Sequence, residues 1–172
     1  MIAKALADYL RSTEPITGYP ATPFREPQTV GDLTINNREE ARRYVRSRVG
    51  DEIYAARKPR NGSQNLAVTL RRIVTNRVHE IGGGAQLADA IIQTDVWARY
   101  EPNPELRAEI TATLIRLCCE GFGASTWGDI VVADCMVVRE GEFSETPIDG
   151  DDWTYRYSMD LMIFYNQPSA VV

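Results

Sequence analysis

Histidine is almost missing from this chain and cysteine is sparse. One histidine, His79, and three cysteines, Cys118, Cys119 and Cys135, are spread over 172 residues with no CxxC spacing. A zinc centre of the His/Cys kind needs better-spaced ligands than these. An odd cysteine count with two members adjacent reads as buried, reduced thiols and not as a disulfide framework. No run approaches the roughly 18 apolar residues that a membrane helix needs. The opening MIAKALADYLRSTEP has one lysine and then polar residues at helical spacing, without the apolar block of a signal peptide, so the chain is expected in a cytoplasm.

Chemistry-bearing motifs are also missing. There is no Ser-centred nucleophile elbow, no HExxH and no paired-carboxylate motif. His79 and Glu80 are neighbours, and adjacent strand residues face opposite sides, so they do not make an acid–base pair. The thiols of Cys118 and Cys119 have no histidine near them in sequence and read as packing groups at a helix end. Gly82-Gly83-Gly84 lacks the following Lys-Ser/Thr of a phosphate loop and suits a hairpin turn. Glu145, Asp149, Asp151 and Asp152 do not have the spacing of a calcium loop and read as a solvated acidic tip. None of these patterns supports an enzyme, a metal site or a cofactor site.

What is present is an ordinary globular composition, 44% apolar and 25% charged, at the usual length of one domain. The net charge of −5 hides an asymmetry. Residues 38–77 carry Arg38, Arg42, Arg43, Arg46, Arg48, Arg57, Lys58, Arg60, Arg71, Arg72 and Arg77 against only Glu39, Glu40, Asp51 and Glu52. From residue 101 onward the acids dominate, and only Arg107, Arg116, Arg139 and Arg156 oppose them. One end basic and the other acidic points to nucleic acid, or to copies of the chain meeting unlike face to unlike face. Only Tyr44 and Tyr54 interleave the basic block, which serves base stacking poorly. A solvated helix face is the plain alternative for the arginine run.

The periodicities give an α+β domain, an antiparallel sheet with helices on one face. Ile2, Leu6, Tyr9 and Leu10 make a short amphipathic helix. Residues 12–37, with Pro15, Pro20, Pro23 and Pro27, read as an extended arm or long loop. Asn37 caps a helix with Ala41, Tyr44, Val45 and Val49 on one face, and Gly50 stops it. Residues 51–56 form a short strand. Residues 67–81 form a strand with a bulge, paired as a hairpin with a strand that begins near Leu87. In IIQTDVWARY (91–100), Ile92, Thr94, Val96 and Ala98 face one side and Gln93, Asp95, Trp97 and Arg99 the other. Asn103 and Pro104 start a helix whose buried stripe is Leu106, Ile110, Leu114, Leu117 and Cys118, and Gly121 ends it. Residues 129–139 are a strand, 140–152 an acidic loop, and 153–165 a strand with Trp153, Tyr155, Tyr157, Met159, Leu161, Ile163 and Tyr165 on one side.

The order of these parts resembles the tail terminator (tail completion) proteins of long-tailed bacteriophages and related tail-like particles. Three places carry the resemblance: VGDEIYAARKP (49–59), QTDVWARY (93–100) with the helix after it, and GDDWTYRYSMDLMIFY (150–165). The match spans residues 38–166, with 12–37 and 140–152 as insertions. The resemblance implies a structural virion protein, without catalysis or cofactor, that forms a ring, usually six-fold, at the head-proximal end of the tail tube. The ring stops tube polymerisation and offers the surface for head–tail joining. Implied partners are further copies of the chain, the tube protein and a head-side neck protein, with DNA passing through the channel without specific binding. The residues read as subunit or partner contacts are Arg42, Arg43, Arg46, Arg57, Trp97, Arg99, Asp149, Asp151 and Asp152. A neck or head-closure connector, and a nucleic-acid-binding module using residues 38–77, are the competing readings.

Overall fold

The computed structural model describes residues 1–55, 65–77, 86–99, 102–123, 125–144 and 153–167. Among these residues, three helices lie on one face of a six-stranded sheet, so the architecture is α+β. Helix α1 (Ile2–Arg11) buries Ile2, Leu6, Tyr9 and Leu10, the side read from its spacing. Helix α2 (Arg38–Val49) starts where Asn37, in extended backbone, accepts a hydrogen bond from the Glu40 amide at 2.8 Å. It stops at Gly50, whose φ of 60° suits glycine.

Between α1 and α2 the chain is more ordered than an extended arm. A 3-10 turn (Tyr19–Ala21) precedes a small antiparallel hairpin, β1 (Gln28–Val30) with β2 (Leu33–Ile35). Gly31 makes its corner at φ +61°. The three-residue strands are too short to leave a period in the sequence.

The main sheet has the order β3 (Ile53–Tyr54), β4 (Leu66–Arg77), β5 (Gln86–Arg99), β8 (Trp153–Gln167), β7 (Ile130–Ser144) and β6 (Ser125–Trp127). Every pairing is antiparallel except that of β3 with β4, so the sheet is mixed at one edge and not wholly antiparallel. The last strand inserts between β5 and β7, where its continuous side-chain row becomes central core. The bulge expected in β4 falls between Arg72 and Val74. Strand β7 runs through residues 140–144, so that part of the expected acidic loop is strand, and 145–152 lie outside the described residues. A sheet of six strands is about 24 Å wide. Helix α1 nevertheless touches β3, β4 and β6, strands at both edges, so the sheet curls toward it.

Helix α3 (Pro104–Cys119) lies across β5, β8 and β7 and against α2. Proline at its start and Gly121 after its end, φ +64°, follow the reading. Two details differ. Asn103 precedes the helix in the left-handed region, φ 60° and ψ 55°, and makes no side-chain cap bond. Leu106 is half exposed, while Ala108, Thr111, Ala112, Leu114, Ile115, Cys118 and Cys119 are buried. Small residues at the contact allow the helix to approach the sheet closely, and that turns Leu106 outward.

One connected core of Leu66, Val68, Leu70, Ile92, Val96, Met159, Leu161 and Ile163 with the helices fills the space beneath α1–α3. At its margin Tyr9, Phe122 and Trp127 cluster with centroids 5.1–5.3 Å apart, Tyr9 stacked on Trp127 and edge-on to Phe122. They line a cleft of about 320 Å³ together with Ile16, Glu14 and Arg42.

Candidate functional site

The arginines of α2 divide into two groups. Arg38 donates to the carbonyls of Glu120 and Gly121 at 2.8 and 3.1 Å, and its guanidinium lies over the Phe24 ring. Arg42 is buried; it donates to the carbonyls of Tyr9 and Glu14 and covers the Tyr9 ring. Arg46 donates to the Ser12 carbonyl at 2.9 Å. These three guanidiniums hold the end of α3 and the chain that leaves α1. Charge-assisted bonds to backbone carbonyls suit the guanidinium fork, and the aliphatic stems pack. Arg43 is exposed and Arg48 half exposed, so they are the members of the run that face solvent.

The helix-free face of the sheet is the second region, and it carries the outward residues of the alternation. Trp97 is nearly buried there, although no helix covers it. Its indole Nε1–H donates to Thr69 Oγ1 at 3.0 Å, and the Arg156 guanidinium lies 5.1 Å above its ring. Two residues along the strand, on the same face, Asp95 faces Ser158, whose hydroxyl donates to the carboxylate at 2.6 Å. Gln93 Nε2 donates to the same Ser158 oxygen at 3.2 Å, and Arg71 donates to Gln93 Oε1. Burial pushes the Asp95 pKa up, against the Ser158 hydrogen bond and the charges of Arg156 and Arg71. Arg99 is half buried at the end of β5, its amide donating to the Asn65 carbonyl at 3.0 Å.

The third region is acidic. Glu105 and Glu109 on α3 and Glu140 and Glu142 on β7 surround Tyr155 and Tyr157 of β8. Burial, and then these carboxylates, hold both phenols above their ordinary pKa. Arg116 ties the rim together, reaching Glu120 at 3.0 Å and Glu140 at 3.2 Å.

Charge therefore divides across the width of the sheet. Helix α2 lies on the β4 side, where the solvent-facing Arg43, Arg48, Arg71 and Arg72 outnumber Glu39 and Glu40 of the same helix. Helix α3 lies over β8 and β5 and reaches β7, and the acidic cluster stands where it meets β8 and β7. The sequence pattern made the charge asymmetry visible; its lateral placement depends on strand order. Arg57, Asp149, Asp151 and Asp152 lie outside the described residues. Trp97 is brought together with Asp95 and Arg156, while Arg42, Arg43 and Arg46 sit apart from it on the helix layer. The alternation of β5 put Asp95 on the outward side, but only its pairing with Ser158 showed it to be buried. Among the described residues, no group of three or more His, Cys, Asp or Glu side chains is placed to hold a metal ion. Among the described residues, no helix is long and apolar enough to cross a membrane.

No family model matches this chain, and no curated protein matches it. Among solved structures, the chain is similar to a chain in the virion of a native gene transfer agent (GTA) particle. The identity is 14%, the TM-score is 0.48, and the match covers 71% of this chain and 82% of that one.

Proposed function

We propose that this chain is a structural virion protein that assembles into a ring at the head-proximal end of a phage-like tail tube. There it stops tube polymerisation and presents the surface for head–tail joining. The observation that carries the reading is the lateral division of charge, basic on the α2 and β4 side and acidic on the β7 and α3 side. A closed ring is built from heterologous contacts, one surface of a copy against a different surface of the next. Complementary charge on the two sides fixes the register of that contact and rejects wrong pairings. The three motif stretches of the sequence support the same role.

The reading assigns no catalytic chemistry and no cofactor to the chain. Its partners are further copies, the tube protein and a head-side neck protein, and its place is the virion. A neck connector would use the same surfaces. The nucleic-acid reading is weakened by Arg38, Arg42 and Arg46, whose charges are committed to backbone carbonyls. The test is the mass of the purified protein by light scattering, with negative-stain images alone and with its tube protein. Rings that cap tube ends support the terminator reading. A monomer that ignores tubes and binds duplex DNA with a steep salt dependence would replace it with the nucleic-acid module.

A further inference from the structure

Two buried thiols meet where the end of α3 comes against β7. Cys119 is the last residue of α3 and Cys135 lies in β7. Both are wholly buried, and their side chains are hydrogen-bonded to each other. Cys118 is buried as well, but its thiol donates to the Arg38 carbonyl at 3.9 Å instead.

The backbone holds the two elements together at the same point. The Gly121 amide donates to the Cys135 carbonyl at 2.8 Å. A Cβ on Gly123 would stand 3.1 Å from the Ala133 carbonyl oxygen, so the chain leaving α3 runs close against β7. Arg38 clamps this turn through the carbonyls of Glu120 and Gly121. The thiol pair thus sits between segments that other bonds already hold in place. In a reducing cytoplasm such a pair only packs. In an oxidising setting it lacks one bond of being a cross-link, because both sulfurs are already in contact.

We infer that Cys119 and Cys135 are a cross-link site, reduced while the chain folds in the cell and joined as a disulfide by a peroxide once the particle is outside it. The inference takes its setting from the virion reading, since a released particle leaves the reducing cytoplasm.

The step balances with hydrogen peroxide as oxidant. Cys119 gives its proton to solvent, and the thiolate attacks one peroxide oxygen. The O–O bond breaks, Cys119 becomes a sulfenic acid, and the departing hydroxide takes up a proton to become water. The Cys135 sulfur then attacks the sulfenic sulfur. The S–S bond forms, the S–O bond breaks, and the hydroxyl leaves with the Cys135 proton as a second water. The two sulfurs have together lost two electrons, which the peroxide has gained.

Cys119 reacts first because a helix end opens more readily than a strand interior. Its hydrogen bond with Cys119, and then burial, keep Cys135 protonated until that opening, so the first step is slow in the closed protein. The second step is intramolecular and follows at once. Cys118, adjacent to Cys119 and turned to Arg38, stays a thiol.

The test treats the purified full chain with hydrogen peroxide under native conditions for hours. The chain is then denatured, alkylated and digested without reduction, and mass spectrometry reads which cysteines are joined. A peptide linked through Cys119 and Cys135, with Cys118 alkylated, is the expected result. The melting temperature should rise by about 5 °C or more, and dithiothreitol should reverse the rise. Cys118→Ser should keep both effects; Cys119→Ser should lose both. Linkage through Cys118, sulfinic acids without a linked peptide, or three thiols recovered free would overturn the cross-link. If a variant fails to fold, the wild-type peptide map decides. Released particles mapped in the same way test the setting, and a free Cys119–Cys135 pair in them overturns the oxidised state outside the cell. None of the measurements on the purified chain depends on assembly, so their failure leaves the ring reading to light scattering and imaging.

Discussion

Ser158 donates its hydroxyl to the carboxylate of Asp95 across 2.6 Å, between facing positions of β8 and β5 on the side of the sheet that no helix covers. Both residues are nearly buried beneath longer neighbours. An ionised carboxylate out of water is costly, and the hydroxyl, with Arg156 and Arg71 nearby, offsets part of that cost. The pKa of Asp95 stays raised, so the folded state holds the proton more tightly than the unfolded chain does. This group's contribution to stability is therefore fully present below the unfolded value, about 3.9, and is lost as pH rises through the higher folded value. Asp95→Asn removes that dependence. Thermal melts across the acidic range should show the wild type losing stability relative to the variant as pH rises through this window. Parallel curves would mean that Asp95 is ionised normally.

Arg42 and Arg43 are adjacent in sequence and opposite in fate. Arg42→Ala removes a buried guanidinium that bonds two carbonyls and covers Tyr9, and should cost about 2–3 kcal/mol. Arg43→Ala alters an exposed side chain and should stay within about 0.5 kcal/mol of wild type. Urea unfolding of the two variants under one buffer reads the difference. Arg42→Lys should recover little, because an ammonium lacks the fork that reaches both carbonyls.

The corner of the small hairpin is crowded as well as strained. A Cβ on Gly31 would stand 2.8 Å from Ile110 Cδ1, on backbone at φ +61°. Gly31→Ala should cost about 1–2 kcal/mol from the left-handed backbone alone, with a steric part added. Ile110→Val should relieve only the steric part, and a double-mutant cycle measures it as a coupling between the two sites. Zero coupling would place Ile110 away from the hairpin.

The three thiols are buried, and burial raises the pKa of Cys118 to about 12. Cys135 is raised well above the usual thiol range by its hydrogen bond with Cys119 and by burial. Thiolate is the reactive form. Native protein at pH 8 should leave all three cysteines unlabelled by an alkylating reagent over a time in which the unfolded chain labels completely. Mass spectrometry counts the labels. Fast labelling of Cys118 or Cys119 would show that the end of α3 opens locally, and fast labelling of Cys135 that β7 does.

The sequence by itself determined the parts whose signal is local. Period and caps marked α1, α2 between Asn37 and Gly50, and α3 between Pro104 and Gly121. Strict alternation fixed the two faces of β5 and β8, and the bulge in β4 was readable from its broken alternation. The hairpin within residues 12–37 and strand β6 escaped because three-residue strands carry no period. Tertiary structure alone decided the rest. It set β8 between β5 and β7, turned Leu106 outward because small residues of α3 meet the sheet, and spent Arg38, Arg42 and Arg46 on carbonyls remote in the chain. It also brought the thiols of Cys119 and Cys135 into contact. Side-chain period is a property of consecutive residues, whereas what a thiol or a guanidinium meets depends on segments far away in sequence.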